Sequence, residues 1–298
     1  MPPEPAAAPA QSEGRRLAGH SGAVVTLLRE QGRSFVRKRA GSAAQNARLA
    51  AQCEKQRAWH ASGQPCPAIL REGLAGGLYF FDMDYVAGSS AAHQCISGAR
   101  LDRAFVAREL HDLLARLHRT SGAEIPPADI LGKLAAIGQA ARGNPALAGI
   151  LPGFLSSLDR LAEQDWRGVP QSEHHGDLTL ENLIIHQTDY WLIDFDVVDI
   201  GSWFMDVGKL FQDLHGQWCL RHLAAAQPGS LAHLNAQLAL SRLGEVVWAA
   251  LRDLSPRLPA LIPALAAFSL ARAMPYCTDA ATAAFLAGRV EAVLDWEV

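Results

Sequence analysis

Hydrophobic positions recur along this chain with two different periods. Early on they come in short β-branched and aromatic runs: Val24 to Leu28, Ser34 to Arg39, Ala68 to Arg71 and Leu78 to Tyr85. Gly-bearing stretches separate them, at Arg29 to Arg33, at Glu72-Gly73 and at Gly76-Gly77, so the runs predict strands joined by turns. Ser42 to Ala61 is Ala-rich and free of Gly and Pro, which predicts a helix with Ser42 as its N-cap. Helical spacing then takes over. In Arg103 to Arg119, Val106, Leu110, Leu113, Leu114 and Leu117 fall three and four apart behind a capping Asp102, a core-facing stripe. Further helices are predicted around Ile130 to Ala141 and Phe154 to Asp165, with Gly143-Asn144-Pro145 and Pro152-Gly153 marking ends. Another opens near Asp206, with Val207, Leu210, Phe211 and Leu214 inward. Ser230 to Val298 is Ala/Leu-rich helix, interrupted at Arg272 to Tyr276, where Pro275 should end or kink it. Among these helices a single stretch returns to strands: Leu183-Ile184-Ile185 and Tyr190 to Ile193, joined through Gln187-Thr188-Asp189, read as a β-hairpin.

Chemistry gathers around that hairpin. His174 to Asp196 reads HHGDLTLENLIIHQTDYWLIDFD. The loop before the hairpin holds Asp177 and Asn182, and the strand at its far end delivers Asp194. Three oxygen-bearing side chains are thereby expected in one small volume. Mg²⁺ prefers such oxygens and binds through one or two protein groups plus substrate phosphates. The pattern points to phosphoryl transfer.

His175-Gly176-Asp177-Leu178-Thr179-Leu180-Glu181-Asn182 resembles the H-x-D-x-x-x-x-N catalytic loop of protein and small-molecule kinases, and Asp194-Phe195-Asp196 stands where those enzymes carry D-F-G. Gly after His, and Asp closing the triplet, make the chain similar to the aminoglycoside phosphotransferase and choline kinase family. The resemblance implies a two-lobed, protein-kinase-like α+β fold, with a small β-rich N-terminal lobe over 16–87 and a larger helical lobe over 88–298. It implies ATP and Mg²⁺ as cofactors, Asp177 as the base for the acceptor hydroxyl, and Asn182 and Asp194 as metal ligands. Asp196 would be a second metal-side or substrate-side carboxylate. His175 and Asp206 would brace the loop.

The same resemblance extends through the first lobe. Gly19-His20-Ser21-Gly22, before the first hairpin strand, would offer Ser21 and the Gly22 backbone to the phosphates, although a full G-x-G-x-x-G is absent. Lys38 occupies the place of the phosphate-pairing strand lysine, and Glu54, the one acid of the following helix, is expected to orient it. An ordinary pairing of Glu54 with Arg57 is the competing assignment. Met83-Asp84-Tyr85-Val86-Ala87-Gly88 looks like the M-E-Y-V-x-G hinge, whose backbone at Asp84, Tyr85 and Val86 would meet the adenine. No A-P-E segment follows the triplet, which favours a small hydroxylated acceptor over a protein. Lys38, Asp177, Asn182 and Asp194 are all expected around one magnesium–triphosphate.

Composition narrows the classes. Of 298 residues, 49% are hydrophobic and 19% charged, which is a globular mixture. A net charge of −3 gives no basic footprint for nucleic acid or anionic membrane. Five scattered cysteines without C-x-x-C pairing predict reduced thiols in a cytoplasmic protein. Residues 1–15 are Pro/Ala-rich and read as a disordered leader. No run reaches the roughly 18 apolar residues of a membrane-spanning helix, since Leu258 to Leu270 is short and holds Pro259 and Pro263. Three other readings compete. A pseudokinase would bind nucleotide without turnover. Gly19 to Ala23 resembles a G-x-S-x-G elbow with Ser21 as nucleophile, but that motif should open a helix. A transition-metal site would need His174, His175 and His186 to point together.

Overall fold

The two hydrophobic periods sort the chain into two units. The computed structural model describes residues 14–17, 22–98 and 101–296. One unit runs to Ala87 and takes in Trp191–Val197; the other comprises Gly88–Tyr190 and the chain from Val198 onward. The seven residues 191–197 therefore pack with the strands of the first unit, where a single boundary after residue 87 is expected from the sequence.

The first unit is a five-stranded antiparallel sheet and one helix. Its strands are β1 (Arg15–Arg16), β2 (Val24–Glu30), β3 (Arg33–Arg39), β4 (Ile69–Ala75) and β5 (Leu78–Asp84), in the order β1-β2-β3-β5-β4. β2 and β3 are longer than their apolar runs because a two-residue turn joins them. Gln31 and Gly32 both have positive φ, 51° and 82°, which suits the right-handed twist of the flanking strands. Between β3 and β4 lies α1 (Asn46–Ala61). A 3₁₀ turn over Ala43–Gln45 precedes it, and Ser42 flanks that turn without a side-chain cap bond, so the expected N-cap is displaced.

Period-two alternation decides which side chains go inward. Val36 and Lys38 share the face of β3 that meets α1, and Val36, Ala40, Leu49, Cys53, Phe81 and Met83 form the core there. Asp82, between the core residues Phe81 and Met83, points to the opposite face and is wholly buried. Arg37 reaches it at 2.7 Å, and Arg71 pairs with its other oxygen. The stripe of α1 facing the sheet is Leu49, Gln52, Cys53, Gln56 and Trp59. Two glutamines in an apolar stripe need partners. Gln56 finds the Pro67 carbonyl at 2.8 Å, and Gln52 finds Lys38 and Asp196.

The second unit is helical around one small sheet. It contains β6 (Ser89–Ser90), α2 (Ala91–Ser97), α3 (Arg103–Arg119), α4 (Pro127–Arg142), α5 (Leu151–Ala162), β7 (Leu183–His186) and the start of β8 (Asp189–Leu192), whose last two residues belong to the first unit. Then come α6 (Trp203–Leu214), α7 (Arg221–Ala226), α8 (Leu231–Leu251), α9 (Leu258–Ala271) and α10 (Ala280–Leu294). The second sheet has the order β6-β7-β8. α3 spans the predicted residues, its stripe is buried, and Asp102 caps it by accepting from the Phe105 amide at 3.0 Å. Pro152 and Gly153, expected at a helix end, sit in the first turn of α5.

α9 corrects the reading of the apolar C-terminal run. Pro263 lies inside the helix instead of ending it, and a 3₁₀ turn at Met274–Tyr276 carries the helical path on. Leu258–Tyr276 is therefore 19 residues long at a mean hydropathy of 1.4, enough to cross a membrane by length and composition alone. About two-thirds of it is buried, against α6 and α10. Closeness to α6 depends on Gly208: a Cβ there would lie 2.6 Å from the Leu265 carbonyl oxygen.

Candidate active site

Each unit carries its own cluster of acids, cations and amides. In the second unit the cluster is built on the loop from His175 to Asn182, and α6 holds that loop in place. Ser202 caps α6 through the Phe204 amide, which fixes where its first turn begins. Asp206, wholly buried in that turn, accepts from the backbone amides of His175 and Gly176 at 2.5 and 2.8 Å. Two turns later Asp213 accepts from the Leu180 amide at 2.6 Å and the Cys219 amide at 3.1 Å. Asp213 thereby anchors the loop, and burial, with Glu181 nearby, pushes its carboxyl up to about 8. Gln212 is buried as well, and Asp199 is an exposed partner of Lys133.

Asp177 is the acid this scaffold presents. Its amide donates to His175 Nδ1 at 3.3 Å, and His175 is itself fully buried. One carboxylate oxygen lies 3.1 Å from Lys209 Nζ, and the other accepts from Asn182 Nδ2 at 3.0 Å. Burial opposes its ionisation, but the Lys209 ammonium beside it overrides burial and holds the carboxyl below its ordinary range. Lys209 is the residue that sequence reasoning misses. It lies three places after Asp206, so the same face of α6 that braces the loop also delivers the cation. Asn182 Nδ2 also donates to the Asp177 carbonyl at 2.8 Å. Its amide nitrogen is thus committed to Asp177, leaving Oδ1 as the atom able to ligate a metal.

In the first unit Lys38 is 3% exposed. It pairs with Asp194, and Gln52 Oε1 accepts from its Nζ at 2.9 Å. The expected Lys38–Glu54 pair is not formed. Glu54 lies two residues beyond Gln52, roughly 200° around the helix. That places it on the solvent side, 66% exposed and paired with Arg57. The buried partner that α1 offers Lys38 is therefore a neutral amide.

Asp194 follows β8 and has a φ of 61°. A non-glycine residue in that region costs about 1–3 kcal/mol and persists only where its surroundings fix it. Phe195 packs edge-on against Trp59, centroids 5.0 Å apart. Asp196, expected from the sequence as a second metal-side or substrate-side carboxylate, meets protein groups in this structure: Arg48 Nη2 reaches Oδ2 at 2.6 Å, while Gln52 Nε2 and the Val197 amide reach Oδ1 at 2.8 and 2.9 Å.

The remaining predicted residues sit at the edges of the first sheet. Asp84 ends β5: its amide donates to the Ala68 carbonyl at 3.0 Å and its carboxylate pairs with Arg33 at 2.5 Å. The Asp84 amide is thus committed to the sheet. Tyr85 and Val86 come next, outside any strand. Gly22 has a φ of 75° and packs on Gln45, whose Nε2 would lie 2.7 Å from an added Cβ. Ser21 falls outside the described residues. The next element along the chain is the strand β2, not the helix a nucleophile elbow opens. Among the described residues no three His, Cys, Asp or Glu side chains are grouped to hold a metal ion. A magnesium ion on a nucleotide does not require three. The carboxylate of Asp194, in the first unit, and Oδ1 of Asn182, in the second, are each hard oxygen donors of the kind it takes.

No curated protein matches the chain in a search by sequence. Among solved structures it is similar to an aminoglycoside phosphotransferase, APH(4)-Ia, in ternary complex with AMP-PNP and hygromycin B, at a TM-score of 0.62 and 14% identity, covering 95% of this chain and 93% of that one. It is similar to the choline kinase LicA of Streptococcus pneumoniae at 0.61 and 13%, covering 95% and 93%. Against the amicoumacin kinase hAmiN, in complex with AMP-PNP and Ca²⁺, the values are 0.57 and 15%, covering 95% and 88%. These likenesses establish the fold. Residues 13–230 match the phosphotransferase enzyme family. The chain belongs to that family.

Proposed function

We propose that this protein transfers the γ-phosphate of ATP to a hydroxyl of a small molecule, with magnesium as cofactor. Asp177 carries the reading. It is a half-buried carboxylate kept ionised by Lys209 and aligned by the Asn182 amide, in a loop whose backbone is pinned by two buried acids. Phosphoryl transfer through a loose transition state asks mainly for alignment and charge neutralisation. Asp177 orients the acceptor hydroxyl and accepts its proton late in the transfer. Lys38 binds the nucleotide phosphates once it exchanges Asp194 for them, with Gln52 still holding its ammonium. Asn182 and Asp194 would hold the magnesium ion, which when bound supplies positive charge against the phosphate oxygens. The backbone of Tyr85 and Val86, with the carbonyl of Asp84, would receive the adenine edge, and Ser21 and Gly22 would approach the phosphates. The comparison structures support the chemistry: two hold AMP-PNP, and one holds hygromycin B beside it.

The test is ADP release screened against sugars, amino alcohols and aminoglycosides. Asp177→Asn should leave a folded protein and lower turnover by about 10²–10⁴-fold, the usual cost of losing a general base. Asp194→Asn should abolish magnesium-dependent turnover. Activity near wild type in either variant rejects these roles, and nucleotide binding without ADP release on any acceptor would point to the pseudokinase.

A further inference from the structure

Six hydrogen bonds converge on Asp196, and five of them come from α1. Arg48 Nε and Nη2 and Gln52 Nε2 meet at its carboxylate, and Lys55 Nζ donates to its carbonyl at 2.6 Å. Positions 48, 52 and 55 are spaced four and three apart, so they form one stripe on α1. Arg48 is 58% exposed, but the Asp196 side chain it covers is only 17% exposed. The Val197 amide completes the set at 2.9 Å. On either side of Asp196 the grip continues. Trp59, one turn beyond Lys55, backs Phe195, and Lys38, itself held by Gln52, pairs with Asp194. Asp194 meanwhile sits at a positive φ of 61°, a conformation uncommon for any residue but glycine.

We propose that α1 is a clamp for the Asp194–Asp196 segment. Arg48, Gln52 and Lys55 fix Asp196, and Asp196, as a positioning residue and not a metal ligand, fixes the left-handed backbone that aims Asp194. The charge sense is the reverse of the expected lysine–glutamate link. Here the helix contributes cations and amides, and the segment contributes the acids. Gln52 is the joint, since its oxygen accepts from Lys38 while its nitrogen donates to Asp196, so one side chain registers the strand lysine against the segment. Any movement of α1 along its axis is therefore transmitted to Asp194. The consequence for nucleotide binding rests on the phosphotransferase reading; the clamp itself does not.

Two measurements test it on the full chain. The first is amide hydrogen exchange over residues 194–197 in the metal-free, nucleotide-free protein, as a double-mutant cycle of Arg48→Ala and Asp196→Ala. Each single variant should speed exchange by about tenfold or more, the equivalent of a charge-assisted bond, and the double variant should add little to either. Additive effects, or no effect, overturn the clamp. The second is affinity for AMP-PNP as a function of Mg²⁺ concentration. Arg48→Ala should raise the Mg²⁺ needed for half-maximal binding as Asp196→Asn does, and Arg48→Lys should recover some of the loss. If Asp196→Asn shifts the Mg²⁺ dependence while Arg48→Ala leaves it untouched, Asp196 is a ligand and the positioning role is lost. If wild-type protein binds no AMP-PNP, the phosphotransferase reading fails, and the clamp stands or falls on the exchange cycle alone.

Discussion

Lys209 is the residue whose weight is greatest relative to its visibility. It sits 32 positions from Asp177 in sequence, in a helix that reads as ordinary core, and nothing local marks its ammonium as a partner of that carboxylate. Its effect has a definite sign. With Lys209 present the Asp177 carboxyl lies below its ordinary range, so it is ionised throughout the neutral region and its ion pair is lost only as pH falls through that lowered value. Lys209→Met would remove the largest influence opposing burial and leave only the Asn182 hydrogen bond and the nearby His175 against it, so the carboxyl should rise. The acid limb of the pH–kcat/KM profile should then move to higher pH, and turnover at pH 6 should fall more than at pH 8. A limb that stays in place would remove Lys209 from the site's electrostatics. The closeness of Asp177 to Asn182 was legible because one short motif spaces them, and the place of Asp194 because it follows a readable hairpin. Gln52 was not: a glutamine carries no charge signal, and its role arises from the register of α1 against β3. Glu54 was misassigned for the converse reason, since a charge is conspicuous in sequence while the face it occupies is set by packing.

Among the elements, α6 holds the 175–182 loop at the most points in the fewest turns. Its first turn holds that loop through Asp206, its middle delivers Lys209, and its last turn holds the loop again through Asp213. Its back rests on α9 at the van der Waals limit that Gly208 allows. Gly208→Ala should therefore act at a distance, by pushing the helices apart against the Leu265 backbone, which cannot give as a side chain could. Overpacking of this kind costs about 1–3 kcal/mol. A melting temperature lower by roughly 2–12 °C should result, with turnover falling as the loop's braces shift. An unchanged melting temperature would show that the contact relaxes freely. The stripe of α3 and the hairpins were readable from periodicity and turn chemistry. α9 was not, because burial on several sides lets a helix absorb Pro263 where propensity alone would end it.

At the scale of the molecule, the chain passes between its two units three times: after Ala87, after Tyr190 and after Val197. The order of the elements was legible, since strands come first and helices after. The return of residues 191–197 was not, because their apolar run reads equally well as the end of a hairpin or as the filling of another core. Yet these seven residues complete the first unit. Phe195 fills the space beside Trp59, the Leu192 amide donates to the Pro65 carbonyl at 2.7 Å, and Asp194 and Asp196 neutralise Lys38 and Arg48. The amino-terminal portion is thus not a detachable cassette. A fragment ending at Ala87 would expose an uncompensated buried ammonium and an open aromatic slot, and should give a broad, non-cooperative melt by circular dichroism. Supplying the heptapeptide 191–197 through a flexible linker should restore a cooperative one. For domain exchange or protein engineering, the unit of transfer is discontinuous: a graft of this first unit onto another family member carries its stability only if the distant seven-residue stretch travels with it.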